Sequence, residues 1–136
     1  MTMMKTTVAA LFLATWVPAT AMADAMDECD KGDDRAAIAA CLGSLESDAQ
    51  AALKRSEMAA GKAAREVEVT TKRPGAYTAF ASAARAFALY TQAHCDYVRA
   101  MQPDAGAPPG PVPSAADVAR LACRVDLTRE RIDDLK

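Results

Sequence analysis

The stretch CDYVRAMQPDAGAPPGPVPSAADVARLAC, residues 95–123, decides the fold. Its centre, from Gln102 to Pro113, carries five prolines (103, 108, 109, 111 and 113) and two glycines. Such a segment cannot be regular helix, because proline removes the backbone donor and its ring clashes with the preceding turn. Its flanks are Ala-rich with apolar residues at steps of three and four, so it reads as a bend between two antiparallel helices. Cys95 sits six residues before Met101, and Cys123 nine after Ser114. At ~1.5 Å per residue both lie roughly 9–14 Å from the bend, at similar height. Four cysteines allow three pairings. The spacing favours Cys95–Cys123, which leaves Cys29–Cys41, and each bridge is expected to contribute about 2–4 kcal/mol by restricting the unfolded chain.

Working outward, Phe80, Ala83, Phe87, Tyr90, His94, Tyr97 and Met101 share one helical face. That aromatic stripe is expected to be core rather than a ligand pocket. Downstream, Ser114 caps the last helix with Asp117 three residues on. Val118, Leu121, Val125, Thr128, Ile132 and Leu135 form the facing stripe. Upstream, Arg73-Pro74-Gly75 stops a long helix from about Leu45 to Lys72, capped by Ser44. Its thin inward stripe is Leu45, Ala49, Ala52, Leu53, Ala59, Ala63 and Val67. Lys62–Glu66 and Glu68–Lys72 are spaced as i,i+4 ion pairs on its outer face. A short helix from Arg35 to Leu42, capped by Asp33 or Asp34, is expected to end at Gly43. The expected fold is therefore all-α: a small disulfide-stapled bundle of about four helices, the last two a hairpin around the Pro-rich loop.

The N-terminus reads as an export signal. Lys5 precedes a 12-residue apolar run, Thr6 to Val17; Pro18 breaks it, and Ala21-Met22-Ala23 is a small-x-small cleavage pattern. Residues 1–23 are thus expected to be a cleaved signal peptide and residues 24–136 a single domain, in the periplasm or secreted. No cysteine stands at the cleavage point, which argues against a lipid anchor. Cleavage removes one base and no acid, leaving 15 basic against 18 acidic residues. Export also explains an even set of cysteines, since an oxidising compartment favours disulfides.

Composition excludes several function classes. Of the 136 residues, 33 are Ala and only seven are aromatic, which favours helix over strand. A formal charge of −2 and a pI near 5.4 argue against a nucleic-acid partner. No run reaches the ~20 apolar residues of a membrane span. His94 beside Cys95 invites a thiol or zinc site, but adjacent helical residues point about 100° apart. No CxxC or HxxxH spacing supports a metal, and no phosphate loop or nucleophile elbow is present. No cofactor and no catalysis are expected. The segment Asp24–Asp34 holds six acids against Lys31. Asp27, Glu28, Asp30, Asp33 and Asp34 are its candidate partner surface, and the bland reading is a solvated run.

From Phe80 onward the residues carry a resemblance. Ala83-Ala84-Arg85-Ala86-Phe87-Ala88-Leu89-Tyr90, then Cys95, Cys123 and Leu127-Thr128-Arg129-Glu130-Arg131-Ile132-Asp133-Asp134-Leu135 resemble the lysozyme inhibitor LprI N-terminal-like family. Cys29 and Cys41-Leu42, followed by a long polar helix, fit the same layout. The resembling motif residues are Arg85, Phe87, Tyr90, Thr128, Arg131 and Leu135. Arg85 and Arg131 read otherwise as surface ion-pair formers, Arg131 with Asp133 or Asp134, and the remaining four as packing residues of the helix pair. This chain departs from the pattern at Phe87, where Trp is common, at Thr91-Gln92, where Arg-Asp is usual, and at Ala84, where Gln is usual. The resemblance implies a secreted or periplasmic helical protein that binds a protein partner, in some members lysozyme. An envelope interaction module that inhibits no hydrolase is the alternative.

Overall fold

The computed structural model describes residues 24–32 and 34–136; the expected signal peptide and Asp33 lie outside the described residues. Four helices follow in order: α1 (Ala25–Cys29), α2 (Arg35–Thr71), α3 (Ala76–Ala100) and α4 (Ala115–Asp134). Among the described residues there is no strand. Glu46 pairs with Arg124 and Gln50 with Thr128, so α2 and α4 run parallel in register. The pairs Arg99–Asp117, Asp96–Arg120 and Cys95–Cys123 run in opposite order along α3 and α4, which makes that pair antiparallel.

The Pro-rich bend is built as a start signal for α4. Asp117 N donates to Ser114 Oγ at 3.0 Å, and Ser114 N donates back to Asp117 Oδ2 at 3.4 Å, closing a capping box. Asp104 reaches forward from the bend and accepts from Ala115 N at 2.7 Å and Ala116 N at 3.0 Å. Three of the donors that a helix start leaves open are thus satisfied by side chains. Arg99 Nε donates to Asp117 Oδ1 at 2.9 Å, tying the end of α3 to the same cap.

Both disulfides form as Cys29–Cys41 and Cys95–Cys123, with Cα–Cα distances of 5.8 and 5.6 Å. No free cysteine remains among the described residues. Around the first bridge lies the core: Ala25, Cys29, Leu42, Val118, Ala122 and Val125 are buried together, with Ile38 and Leu45 packed against them.

Several expectations are corrected. Gly43 does not end a helix; α2 runs through it for 37 residues, capped by Asp34, which accepts from Ala37 N at 2.9 Å. An interior glycine costs about 1 kcal/mol, less than burying Leu42 gains, and Leu42 and Leu45 on either side both join the core. The fourth helix comes instead from the acidic segment, where Asp24 caps α1 by accepting from Met26 N at 3.0 Å. Along α2 the inward side drifts: Ala59, Ala63 and Val67 are exposed, while Gly61 is buried and Ala60 and Ala64 are half-buried. Glu68 does not pair with Lys72, whose backbone turns left-handed at φ 54°. Its carboxylate accepts from Gly75 N at 2.8 Å and Tyr77 N at 2.9 Å, and these bonds hold it below the usual carboxylate range.

The aromatic stripe is not core either. Tyr90, Tyr97 and Met101 are exposed, whereas Thr91 and Cys95 are the buried residues of α3. The Cys95–Cys123 bridge holds α3 and α4 backbones too close for large side chains between them. Small residues therefore face inward and the aromatics are displaced to the flanks.

Candidate functional site

The acidic segment divides into tied and open carboxylates. Glu28 makes a two-pronged pair with Arg129, Nη1 to Oε1 and Nη2 to Oε2, the latter at 3.2 Å. That pairing holds Glu28 below its ordinary value and Arg129 above its own. Ala25 N donates to Asp126 Oδ1 at 3.0 Å, so α1 is pinned to α4 at two points. Burial, together with the Asp24 carboxyl beside it, pushes Asp126 up to about 6. Asp27 and Asp30 point to solvent, and Asp34 is exposed while capping α2.

The Pro-rich bend is exposed over most of 103–112. It does not meet the acidic segment. α1 docks at Asp126 and Arg129, and twelve helical residues, about 18 Å, separate Asp126 from the bend's end at Ser114.

The six resembling motif residues fall into two groups. The Arg131 guanidinium lies 5.6 Å from the Phe87 ring centroid, and not with Asp133 or Asp134; Asp133 pairs with Lys136. Phe87 and the buried Thr128 line one cleft between α2, α3 and α4. Tyr90 is 54% exposed, which corrects its expected packing role, and it stacks on His94 with centroids 5.4 Å apart. Arg85 is exposed and donates to Ser82 Oγ at 3.4 Å; Leu135 is half-buried at the end of α4.

The cleft has a volume of about 510 Å³. Leu53, Ala84, Phe87 and Ala88 give it apolar walls, and Thr91, Gln92, Arg120 and Arg124 give it polar ones. Arg124 Nη2 pairs with Glu46 Oε1 at 2.7 Å. Arg120 Nε lies 2.9 Å from Asp96 Oδ1, so both arginines of this wall are paired with carboxylates of the fold. Sequence reasoning missed Gln50, Glu57, Arg120 and Arg124. The available signal was Arg120, Arg124 and Thr128 recurring every fourth residue, which places two cations and a hydroxyl on one face.

The family model for Lysozyme inhibitor LprI matches residues 25–135. Comparison with curated proteins and with solved structures gave no match. Ala84, Phe87, Thr91 and Gln92, the positions read in the sequence as departures from the resembling pattern, all line the cleft. With the matched region running from α1 to the end of α4, the chain belongs to the lysozyme inhibitor LprI family.

Proposed function

We propose that this is an extracytoplasmic binding protein, periplasmic or secreted, that inhibits lysozyme or a related cell-wall hydrolase by occupying its surface. The observation that carries the reading is the family match across the whole described domain. The two disulfides support a location outside the reducing cytosol. On this reading the first 23 residues direct export and are removed after Ala23. The protein acts by binding and not by catalysis.

Charge supports the choice of partner. Animal lysozymes are strongly basic, and their catalytic cleft is built on two carboxylates. An acidic protein is steered towards such a surface before contact is made. Asp27, Asp30 and Asp34 offer open carboxylates on α1 and at the start of α2. The Pro-rich bend offers a preordered loop, because its prolines reduce the entropy lost on entering a cleft.

The test is association kinetics on immobilised lysozyme. Steering predicts that Asp27→Lys with Asp30→Lys slows association at least several-fold and that ~0.15 M salt narrows the difference. Absence of any complex with lysozyme at micromolar protein would overturn the reading.

A second reading, an envelope interaction module that inhibits no hydrolase, draws support from the outer faces of α2 and α3. Val69, Leu89 and Met58 are 79%, 70% and 68% exposed there. Stoichiometric recovery of one non-hydrolase partner from envelope extract would favour it.

A further inference from the structure

Charge is distributed unevenly along the chain. Residues 54–85 hold seven Lys and Arg against three Glu, whereas residues 24–53 and 86–136 together hold eight against fifteen acids. The basic stretch is the second half of α2 and the first half of α3, joined at Arg73-Pro74-Gly75. Elsewhere in the fold Arg99, Arg120, Arg124 and Arg129 each hold a carboxylate. Within 54–85, among the described residues, Lys62 alone does, 3.8 Å from Glu66 with both side chains largely in water. Glu68 is turned away from the cations to the backbone of Gly75 and Tyr77.

Helical spacing puts these charges on one line. At 3.6 residues per turn, Lys54, Met58, Lys62, Arg65 and Val69 fall within an arc of about 80° and span about 22 Å of α2. Their side chains share surface. Lys54, Met58, Lys62 and Arg65 line one shallow depression, and Lys62, Arg65 and Val69 line the next. Lys72 and Arg73 are exposed where the helix ends. Met58 and Val69 stand 68% and 79% exposed between the cations. The cations call for an anionic counterpart, and the two apolar side chains gain by leaving water. A rigid acidic protein would have to carry a socket for each of them. An anionic bilayer supplies headgroup charge and a yielding hydrocarbon boundary along any straight line. We propose that this stripe is a docking surface for an anionic lipid bilayer. Lys54, Lys62 and Arg65 meet the headgroups, Met58 and Val69 dip below them, and this part of α2 lies in the membrane plane. Docking needs no hydrolase and no protein partner, so it stands or falls independently of inhibition.

The test is co-sedimentation of the oxidised protein, recovered after export, with vesicles of phosphatidylcholine alone or mixed with an equal part of phosphatidylglycerol. The mixed vesicles are expected to bind at least ~20-fold more tightly, a difference that salt should shrink. Each base near an anionic surface contributes about fivefold, so Lys54→Gln with Lys62→Gln should weaken binding about 25-fold. Lys31→Gln with Arg35→Gln removes the same charge more than a Debye length away and should leave binding within about twofold. Met58→Ser with Val69→Ser keeps the charge and should weaken binding at least ~3-fold. The N-terminal residues are the same in every variant, so a difference reports the substituted sites, and melting temperatures check that the variants fold. Equal binding to the two vesicles, or binding to neither, would overturn the proposal. So would equal losses from the two charge pairs, or affinity unchanged without Met58 and Val69. Polyglutamate bound as tightly as the mixed vesicles at equal charge would also overturn it, and would mark the stripe as a site for an acidic protein.

Discussion

The two ends of the bundle are built on different principles. At one end α1, the first half of α2 and α4 converge on Leu42 and Val125, both with no exposed surface, and the disulfides staple α1 to α2 and the second half of α3 to α4. At the other end α2 runs on alone with α3. Since Gln50 lies level with Thr128 in parallel register, α4 ends opposite about residue 56 of α2, and the remaining helix overhangs by roughly 22 Å. There the contacts are Gly61 against Phe80 and the Arg65 guanidinium 4.0 Å from the Tyr77 ring centroid. Met58, Val67 and Val69 stay exposed. The difference teaches that global stability resides in the stapled end, while the overhanging hairpin can open on its own.

The largest expected effect is at Leu42. Leu42→Ala leaves a cavity in a fully buried site and should cost about 2–5 kcal/mol, whereas Val69→Ala on the overhang should stay within about 0.5 kcal/mol. Urea midpoints of the two variants check the contrast, and similar losses would break it. Next come the disulfides. Removing Cys95–Cys123, which spans 28 residues, should cost about 3.5 kcal/mol, and removing Cys29–Cys41, which spans 12, about 3 kcal/mol. Differential scanning calorimetry of the paired Cys→Ala proteins measures both.

Gly61 sharpens the comparison from the other side. A Cβ there would stand 3.1 Å from Phe80 Cε1. Gly61→Val should splay the hairpin at a local cost of about 1–3 kcal/mol. Hydrogen exchange should speed up for amides of residues 58–84, with little change at Leu42 and Val125. Uniform acceleration would show that the two ends unfold together.

The smallest effect concerns the pin between α1 and α4. Asp126 is raised from 3.8 to about 6 in the fold, so between those values the folded chain holds a proton that the unfolded chain has lost. Stability from this group is present at low pH and declines as pH rises towards 6. Glu28 and Asp117 act oppositely: their lowered values give stability that is lost on acidification below the ordinary carboxylate range. Between pH 4.5 and 6.5 the Asp126 effect should stand apart. Asp126→Asn keeps an acceptor for Ala25 N and should flatten the melting temperature over that window. Parallel profiles for the two proteins would contradict it.

Much of the stapled end was legible in the sequence. The Pro-rich bend, the Ser114–Asp117 cap and the heights of Cys95 and Cys123 are local features with few alternatives. The error at Gly43 arose because a helix stop and an interior glycine look alike locally, and only the packing of Leu42 and Leu45 against α4 decides between them. On α3, two neighbouring faces satisfy the same three–four spacing. Side-chain size pointed to the aromatics, whereas the close approach of two backbones at Cys95 demanded Thr91 and Cys95 inside. The cleft was out of reach for another reason. It joins Glu57, Thr91 and Arg124 from three helices, and no spacing within one segment encodes that meeting.

The central claim is that the stapled end presents a rigid surface on which a cell-wall hydrolase is stopped. Lysozyme turnover of cell-wall substrate, measured against increasing oxidised protein, tests it directly. The account predicts that turnover falls away near molar equivalence and survives when all four cysteines are replaced by Ala. Full turnover at a large molar excess of the oxidised protein would contradict it.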